Sequence, residues 1–572
     1  MVYRIADNIL SPLGETTEQN YQAVKAGNSA LRRYEHLWGI PEPFTASLFT
    51  EAQNEAIAIG GLTRFESLAY SSAKKAIEAS AIDVSAANVV FILSTTKGNI
   101  EQLFLDASPC GEPQGTVADT LIYPGTAARH IAARLGITTN PVTVCNACIS
   151  GVSAIILALR LLEAHCYDYA IVCGADTQNK FTVSGFQSLK AISEYDCKPF
   201  DMERMGLNLG EAAATMVLTS HFVEDGWAIE RGAVRNDAFH ISSPSKNGEG
   251  AFLALSTVTE GVDTSDLAFV NAHGTATMFN DQMESVAIGR AGLNDVPVNA
   301  YKGYFGHTLG AAGILETVLS MAAVDDHTVL ATRGFDERGV SGNIRLSSQN
   351  STTDKKSFVK MISGFGGGNA ALLVRKNENR IEELKASISN ITHRLRLTST
   401  SLMIDGNNVA LSETGAPLLI WLYKNHIDDY PKFYKMDGLS RLGLVASELL
   451  LKAEALPAES PVESRAVILF NRSSSIVADK LFLSTIARPD NYFPSPSVFV
   501  YTLPNIVTGE IAMRNHYHGE TSFYISDKRN DPFIWQVIQA SFADRQTKSV
   551  LGGWIDYQDD SHFEADLFIT TI

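Results

Sequence analysis

TVCNACISGVS, residues 143–153, is the stretch around which this chain of 572 residues is organised. The apolar residues 141–144 predict the end of a buried strand, and residues 152–162, small and then almost wholly apolar, predict a buried helix. Cys148 would then lie at the strand-to-helix turn, where unpaired backbone N–H groups and the positive helix end lower a thiol pKa. Gly151 permits close approach of a substrate. The first hypothesis is that Cys148 is a nucleophile.

Two other interpretations of this stretch stay open on local sequence alone. A free cysteine is most often a small core residue. Cys145 and Cys148 also form a C-x-x-C pair, which is typical of a redox dithiol or of half a zinc site. The chain has no second C-x-x-C pair, and the remaining motifs must decide.

The composition excludes several classes of partner. The net charge of −17 argues against nucleic acid or an anionic membrane surface as the main partner. No apolar stretch approaches about 20 residues, and the first residues do not begin a signal peptide. A long chain with six cysteines and no export signal predicts a reducing cytoplasm.

Strand and helix patterns alternate over residues 1–376, which predicts an α/β domain with a mostly buried sheet. Residues 377–389 are charged and lack a broad apolar face, so we interpret them as a linker to a second unit, residues 390–572. The predicted strands include residues 3–10, 88–94, 169–174, 267–270 and 360–363, and the predicted helices include residues 66–79, 121–135 and 309–324.

The second unit repeats part of the first at a spacing of about 380 residues. Residues 465–470 resemble residues 88–93, and residues 549–553 resemble residues 170–174. Such self-similarity indicates a duplicated unit. In the second copy, the position equivalent to Cys148 falls near Lys528. Because no cysteine follows position 197, the second unit cannot use thiol chemistry.

Further candidate functional residues lie after later predicted strands. His273 lies in NAHGTAT, residues 271–277, and we expect it to face a pocket, although a structural histidine remains an alternative. His307 begins a helix rich in small residues, so it should be neutral and able to donate a hydrogen bond. Lys302 alone would most often be a surface lysine. Residues 363–369, SGFGGGN, form a turn whose backbone N–H groups could approach a reacting oxygen.

Together these motifs resemble those of the β-ketoacyl-acyl carrier protein synthases, the decarboxylating condensing enzymes of fatty acid and polyketide synthesis. The resemblance implies a thiolase-like five-layer αβαβα sandwich over residues 1–376, usually as a homodimer, followed here by a second thiolase-like half-unit. The residues that carry it are ACISG at 147–151, PFD at 199–201, NAHGTAT at 271–277, Lys302 with GHTLGAAG at 306–313, and GFGGGN at 364–369.

The resemblance also implies the catalytic roles. Cys148 would take the acyl chain from a carrier protein as a thioester, and the backbone N–H groups of Cys148 and Phe365 would hold the oxyanion. His273 and His307 would stabilise the enolate formed when malonyl-carrier protein loses carbon dioxide. Phe365 also resembles the family's gating phenylalanine.

The remaining roles are supporting ones. Lys302 would organise the two histidines and Glu316, while Thr275 and Thr277 would bind the phosphopantetheine arm delivered by the acyl carrier protein. No metal and no bound cofactor is expected. Besides the carrier protein, the expected partner is a second copy or another synthase-like chain.

Two departures from the family pattern concern the nucleophile turn. Ile149 is bulkier than the small residue common after the nucleophile, and Asn146 replaces a usual small or hydroxyl residue, so both are expected to reshape the acyl pocket. The second unit could cover the dimer face or acyl tunnel, recruit a carrier protein, or be a fused partner subunit. Competing functions are a non-decarboxylating acyltransferase, opposed by the paired histidines, and a non-catalytic chain-length-factor-like partner, opposed by the intact cysteine. Primer, chain length and pathway, including pigment polyene synthesis, stay open.

Overall fold

The computed structural model describes residues 1–106, 119–376, 389–454, 462–488, 490 and 492–572. The predicted linker, residues 377–389, lies outside the described residues except for Ser389. We call residues 1–376 the first unit and residues 390–572 the second unit.

The first unit contains strands β1 to β15 and helices α1 to α11. The strands are β1 (Val2–Leu10), β2 (Arg32–Tyr34), β3 (Phe44–Ser47), β4 (Val89–Ser94), β5 (Val142–Val144), β6 (Tyr169–Asp176), β7 (Leu209–Gly210), β8 (Ala212–Thr219), β9 (Trp227–Asn236), β10 (Leu267–Asn271), β11 (Val298–Asn299), β12 (Thr328–Val329), β13 (Ser351–Thr352), β14 (Ser357–Ser363) and β15 (Gly368–Lys376). The helices are α1 (Thr17–Lys25), α2 (Glu51–Ile57), α3 (Arg64–Ser80), α4 (Gln102–Asp106), α5 (Pro124–Leu135), α6 (Ser150–Glu163), α7 (Lys180–Ser188), α8 (Glu249–Thr259), α9 (Met278–Arg290), α10 (Lys302–Phe305) and α11 (Ala312–Asp325).

The second unit contains strands β16 to β22 and helices α12 to α17. The strands are β16 (Asn390–Thr398), β17 (Leu402–Ile404), β18 (Asn407–Val409), β19 (Arg465–Asn471), β20 (Thr521–Ile525), β21 (Ser549–Asp559) and β22 (His562–Thr571). The helices are α12 (Leu418–His426), α13 (Gly438–Glu454), α14 (Ile476–Ser484), α15 (Pro496–Tyr501), α16 (Ile506–Asn515) and α17 (Asp531–Ser541).

Two mixed layers of strands form the framework of the first unit, and they are joined where β1 also pairs with β9. Their strand orders are β5-β4-β6-β8-β1 and β9-β15-β14-β10-β11. Helices α6 and α11 lie between the sheets and contact both, while α3 packs outside the first sheet and α8 outside the second. The prediction of a five-layer αβαβα sandwich is confirmed.

Burial explains why the sequence pattern was so clear. Every residue of β4 and β8 is buried, and α6 is buried along nearly its whole length. Strands covered on both faces give continuous apolar runs, and a central helix is apolar all round. The predicted helix over residues 121–135 instead begins at Pro124, because proline suits the first helical turn.

The second unit repeats the first sheet. Strand β19 pairs in parallel with β20 and β21, β22 is antiparallel to β21, and β16 is antiparallel to β22. These pairings match those of β4 with β5 and β6, of β8 with β6, and of β1 with β8. Helix α17 follows β20 as α6 follows β5. Nothing in the described part of the second unit matches the sheet β9-β15-β14-β10-β11.

The two units share one continuous sheet. Strand β20 pairs antiparallel with β5, placing Tyr524 opposite Val144. Beyond the last pair, the Cys145 backbone N–H donates to the Phe523 carbonyl at 3.1 Å. The Phe523 N–H donates to the Asn146 side-chain oxygen at 2.6 Å. The Asn146 side chain therefore binds the edge of the second unit, and its expected effect on the acyl pocket stays a prediction.

Buried ion pairs also join the units. Arg160 pairs with Glu520 at 2.6 Å, and both side chains are almost completely buried. Lys97 pairs with Asp479 at 2.5 Å in an equally buried position. Removing one member of such a pair typically costs about 3–5 kcal/mol, so these contacts fix the relative placement of the units. None of the helices in the described residues is long and apolar enough to cross a membrane.

Candidate active site

Cys148 lies in the turn between β5 and α6, as the sequence predicts. The turn is tight: Ala147 has a φ of 48°, and residues 147–149 form a 3-10 turn that continues into α6. The Ser150 hydroxyl donates to the Ala147 carbonyl at 2.6 Å and accepts from the Asn146 N–H at 2.8 Å. This local hydrogen bonding holds the Cys148 thiol in place.

The expectation of a lowered thiol pKa at Cys148 is wrong for the unliganded site. Burial raises its pKa to about 12, although Lys302 and the backbone N–H groups of Cys148 and Phe365 act in the opposite direction. Desolvation of the thiolate therefore outweighs the helix end.

Cys145 does not act with Cys148 as a dithiol. Its thiol donates to the Thr95 carbonyl at 2.9 Å, and burial raises its pKa. The two cysteines are not joined by a disulfide. Cys145 therefore fits the structural interpretation, whereas Cys148 lines a cavity.

His273 is fixed through its backbone directly after β10. Its N–H donates to Glu284 Oε1 at 2.7 Å, and the Gly274 N–H donates to the other oxygen at 2.8 Å. His307 follows Gly306, which has a φ of 67°. The Leu309 N–H donates to His307 Nδ1 at 3.2 Å, so the neutral ring carries its proton on Nε2.

The two histidines and Cys148 meet at one point. The Cys148 Sγ and one nitrogen of each ring lie within 4.8 Å of one another. The rings contact edge to face, with centroids 4.9 Å apart. His273 Nδ1 and His307 Nε2 are buried without a hydrogen-bond partner among the described residues. Such orphaned polar atoms are costly, and they favour a bound oxygen there.

Both histidines are neutral, which confirms the prediction for His307. Burial lowers the pKa of each ring well below the usual range, and the positive charges of Lys302 and Lys360 lower it further. The cause differs from the predicted helix end: desolvation acts first. A neutral His307 can donate a hydrogen bond from Nε2 to a developing oxyanion.

Lys302 is fully buried beneath the histidines and is not a surface lysine. Its Nζ donates to the His273 carbonyl at 2.6 Å and to Glu316 Oε1 at 2.7 Å. Lys360, on β14, donates to the other oxygen of Glu316. Lys360 was not predicted to belong to the site; the only signal in the sequence is that it is a lone charge within the otherwise uncharged strand SFVKMIS.

The glycine-dense turn predicted over residues 363–369 lies against the nucleophile. A Cβ on Gly364 would come 3.2 Å from the Cys148 nitrogen. Gly366 and Gly367 have φ values of 88° and 75°, which favour glycine. The turn thus brings the Phe365 N–H to the Cys148 thiol.

A cavity of about 520 Å³ leads to Cys148. Both histidines and two threonines line it, and the Thr275 and Thr277 hydroxyls lie 2.9 Å apart. Met278 and Phe279, also part of the lining, are largely exposed. The cavity therefore gives Cys148 access from outside along a path with hydroxyl groups and apolar residues.

A much smaller cavity, of about 20 Å³, lies between the units and touches Cys148. The first unit contributes Phe365 and Phe186 to it, and the second contributes Phe499 and Leu503. The Phe365 ring stacks on Phe186, with centroids 6.1 Å apart. The second unit therefore forms part of the wall next to the nucleophile.

The equivalent turn of the second unit carries no comparable chemistry. Lys528 is exposed to solvent, and Asp527 forms an ion pair with Arg129 of the first unit at 3.3 Å. The Thr126 hydroxyl donates to the same carboxylate at 3.2 Å. This turn thus serves the contact between the units.

Comparisons with known proteins agree with this geometry. Family models described as the N-terminal and C-terminal domains of β-ketoacyl synthases match residues 5–222 and 228–336. The 3-oxoacyl-[acyl-carrier-protein] synthase 2 of Vibrio cholerae is 27% identical over 414 residues, which is 64% of this chain and 97% of that protein. A putative mitochondrial 3-oxoacyl-[acyl-carrier-protein] synthase of Schizosaccharomyces pombe is 31% identical over 278 residues, covering 44% of this chain and 64% of that protein.

Two solved structures extend the comparison. The keto synthase–chain length factor PfaC superposes with a TM-score of 0.80 at 14% identity, covering all of this chain and 78% of that one. The Xenorhabdus doucetiae ketosynthase, solved in complex with its chain length factor, gives a TM-score of 0.57 at 25% identity over 66% of this chain and 98% of that one. The first of these shows that the fold of both units together recurs in a known structure.

Proposed function

The chain belongs to the β-ketoacyl synthase family, and from this premise we propose that its first unit condenses an acyl thioester with malonyl-carrier protein by decarboxylation. It is a condensing acyltransferase with a thiolase-like fold. The observation that carries the proposal is the convergence of the Cys148 thiol and two neutral histidines within 4.8 Å. Fatty acid, polyketide and polyene synthesis all use this reaction.

Acyl transfer comes first. The Cys148 sulfur attacks the carbonyl carbon of a carrier-bound thioester, and the oxyanion accepts hydrogen bonds from the Cys148 and Phe365 N–H groups. The carrier thiolate leaves, and the proton of the cysteine reaches it through the neutral His273 ring. The raised pKa of the Cys148 thiol makes this proton transfer necessary.

Decarboxylation and condensation follow. The bond between the malonyl carboxylate and Cα breaks, carbon dioxide leaves, and the electron pair forms an enolate whose oxygen is stabilised by His273 and His307. The enolate carbon attacks the acyl-Cys148 carbonyl, forms the new carbon–carbon bond and expels the Cys148 thiolate, which regains a proton. Neutral histidine rings suit this step because they can donate an N–H hydrogen bond to the enolate oxygen without first gaining a proton.

The remaining first-unit residues support these steps. Lys302 and Glu316 hold the backbone of His273 through the contacts described above. Thr275 and Thr277 line the larger cavity and would bind the phosphopantetheine arm of an acyl carrier protein. Phe365 lines both cavities and would open the path to the smaller one as an acyl chain enters.

The second unit would act as a built-in chain-length factor without chemistry of its own. Phe499 and Leu503 support this, because they close the cavity behind Cys148. Gly185 of the first unit admits the Phe499 ring, since a Cβ there would lie 2.0 Å from it. Because β20 occupies the edge of β5, a second chain cannot pair there, so the dimer-like contact is internal to one chain.

The test uses the full chain with acyl- and malonyl-carrier protein. We expect carbon dioxide release and a β-ketoacyl product on the carrier, detected by mass spectrometry of the intact carrier. Cys145→Ala is the matched control and should retain much of both activities. Acyl transfer to another acceptor without carbon dioxide release would instead support the non-decarboxylating acyltransferase.

A further inference from the structure

Lys360 is a fully buried charge beside the catalytic groups, and the mechanism above gives it no task. It lies on β14 opposite Asn271 of β10. Its Nζ donates to Asn271 Oδ1 at 2.8 Å and to the Ala272 carbonyl at 3.3 Å. Both acceptors immediately precede His273. The lysine therefore fixes the end of the strand that presents this histidine.

Glu316 connects Lys360 to Lys302. One carboxylate oxygen accepts from Lys302 at 2.7 Å, and the other accepts from Lys360. Burial by itself raises the pKa of Glu316, but the two lysines lower it below the usual range, so the carboxylate is ionised. Two buried ammonium groups thus share one carboxylate, which leaves one net positive charge beneath the histidines.

Other charged groups face this cluster from neighbouring elements. Glu284 and Asp281 lie on α9, where burial raises the pKa of both carboxyls, that of Glu284 to about 7. Asp176 of β6 is hydrogen-bonded to the Gly310 N–H at 2.7 Å. Burial lowers the pKa of Lys360 to about 8, so its side chain is still a charged ammonium group at neutral pH.

We propose that Lys360 is a positioning residue of the condensing site, which orients His273 through Asn271 and Ala272 and supplies the second buried positive charge beneath both histidines. The proposal rests on the proposed function only for its activity readout. The added charge opposes formation of imidazolium and favours the negative charge that develops on thiolate and enolate. Activity should therefore persist as the pH falls.

The sign of the expected effect follows from the charge removed. In Lys360→Met, the pKa values of His273 and His307 rise, because one of the positive charges that lower them is removed while burial and Lys302 remain, so the rings gain protons at a higher pH than in the wild type. The acid limb of the pH–rate profile for malonyl-carrier protein decarboxylation should therefore move to higher pH, which is measured as a loss of rate at the acid end relative to the variant's own neutral rate. Lys360→Arg should restore the wild-type limb.

The matched control is Arg160→Met, which removes an equally buried cation from an ion pair between the units. Its acid limb should coincide with that of the wild type. An unchanged acid limb in Lys360→Met would overturn the proposal. If that variant fails to fold, Lys360→Gln, which is neutral and can still bond to Asn271, takes its place.

A second measurement does not depend on activity. Diethyl pyrocarbonate modifies neutral imidazole, so its rate of reaction at His273 and His307, followed by peptide mass spectrometry against pH, reports their protonation directly. Lys360→Met should move the midpoint of this titration to higher pH. If the wild type releases no carbon dioxide, the proposed function fails, and this titration still decides the role of Lys360; coincident midpoints would contradict it.

Discussion

Two strand-to-helix turns occupy equivalent places in the two units, and only one is built for chemistry. Between β5 and α6 the turn presents Cys148; between β20 and α17 it presents the exposed Lys528. The difference is larger than one side chain. His273, His307 and Phe365 all come from the second half of the first unit, around the sheet β9-β15-β14-β10-β11. The described residues of the second unit form no such half, so no equivalent groups face its turn, whichever residue the turn carries.

The largest expected effect is on the first turn. Cys148→Ala removes the nucleophile and should lower both acyl transfer and condensation by more than about 10⁴-fold. Cys145→Ala should retain much of both activities, because Cys145 bonds only to the Thr95 carbonyl. Transfer of labelled acyl groups from a carrier protein, followed by peptide mapping, measures both variants. An acyl group on Cys145 would contradict the assignment.

The same acyl-transfer assay also tests the equivalent turn of the second unit. Lys528→Cys in a Cys148→Ala background places a thiol in the second turn, where no histidine pair or glycine-dense turn faces it. We expect no acylation at this position above the background of an exposed thiol. Acylation at a rate near that of the wild-type enzyme would show that the turn alone is sufficient.

The next effect concerns the contact that holds the units together. Asp479→Asn leaves Lys97 buried without its ionic partner and should reduce the free energy of unfolding by about 3–5 kcal/mol.

Lys97→Met leaves Asp479, whose pKa burial already raises to about 6. The native carboxyl then stays protonated at pH values where the unfolded one ionises, so stability falls as the pH rises from about 4 to above 6. Denaturant unfolding at several pH values measures both, and a pH-independent loss in Lys97→Met would exclude this explanation.

His307→Ala should separate the two chemical steps. The variant should still acylate Cys148, but decarboxylation should be slower by about 10²–10³-fold, because one positioned donor to the enolate oxygen is lost. Acyl loading and carbon dioxide release are measured on the same sample. Unchanged release of carbon dioxide would remove His307 from the mechanism.

The smallest effect should come from the cavity between the units. Phe499→Ala enlarges the space behind Cys148, so kcat/KM should shift towards longer acyl primers by about tenfold or more per excluded methylene. Phe482→Ala is the matched control: this ring packs on Phe499, with centroids 5.2 Å apart, but does not line the cavity. An equal shift in both variants would indicate a general loosening of the aromatic packing and would contradict a specific role of the cavity.

The sequence was informative where a pattern is local. Buried strands and central helices gave continuous apolar runs, and the order of motifs indicated the nucleophile turn and the two histidines. The thiol pKa of Cys148 was mispredicted because burial depends on the whole fold. The contact of Asn146 with β20, about 380 residues later, was not predicted because nothing local reveals this partner. Lys360 was missed because a lysine within a strand has meaning only once Glu316 faces it.

One measurement on the full chain tests the central claim that the first unit performs the chemistry while the second shapes its acyl cavity. The chain is loaded from a carrier protein with an acyl group that bears a photoreactive diazirine at its end, and cross-linked peptides are then mapped. We predict a thioester on Cys148 and cross-links to residues 496–503 of the second unit, which include Phe499 and Leu503. A thioester elsewhere, or cross-links confined to the first unit, would contradict the claim.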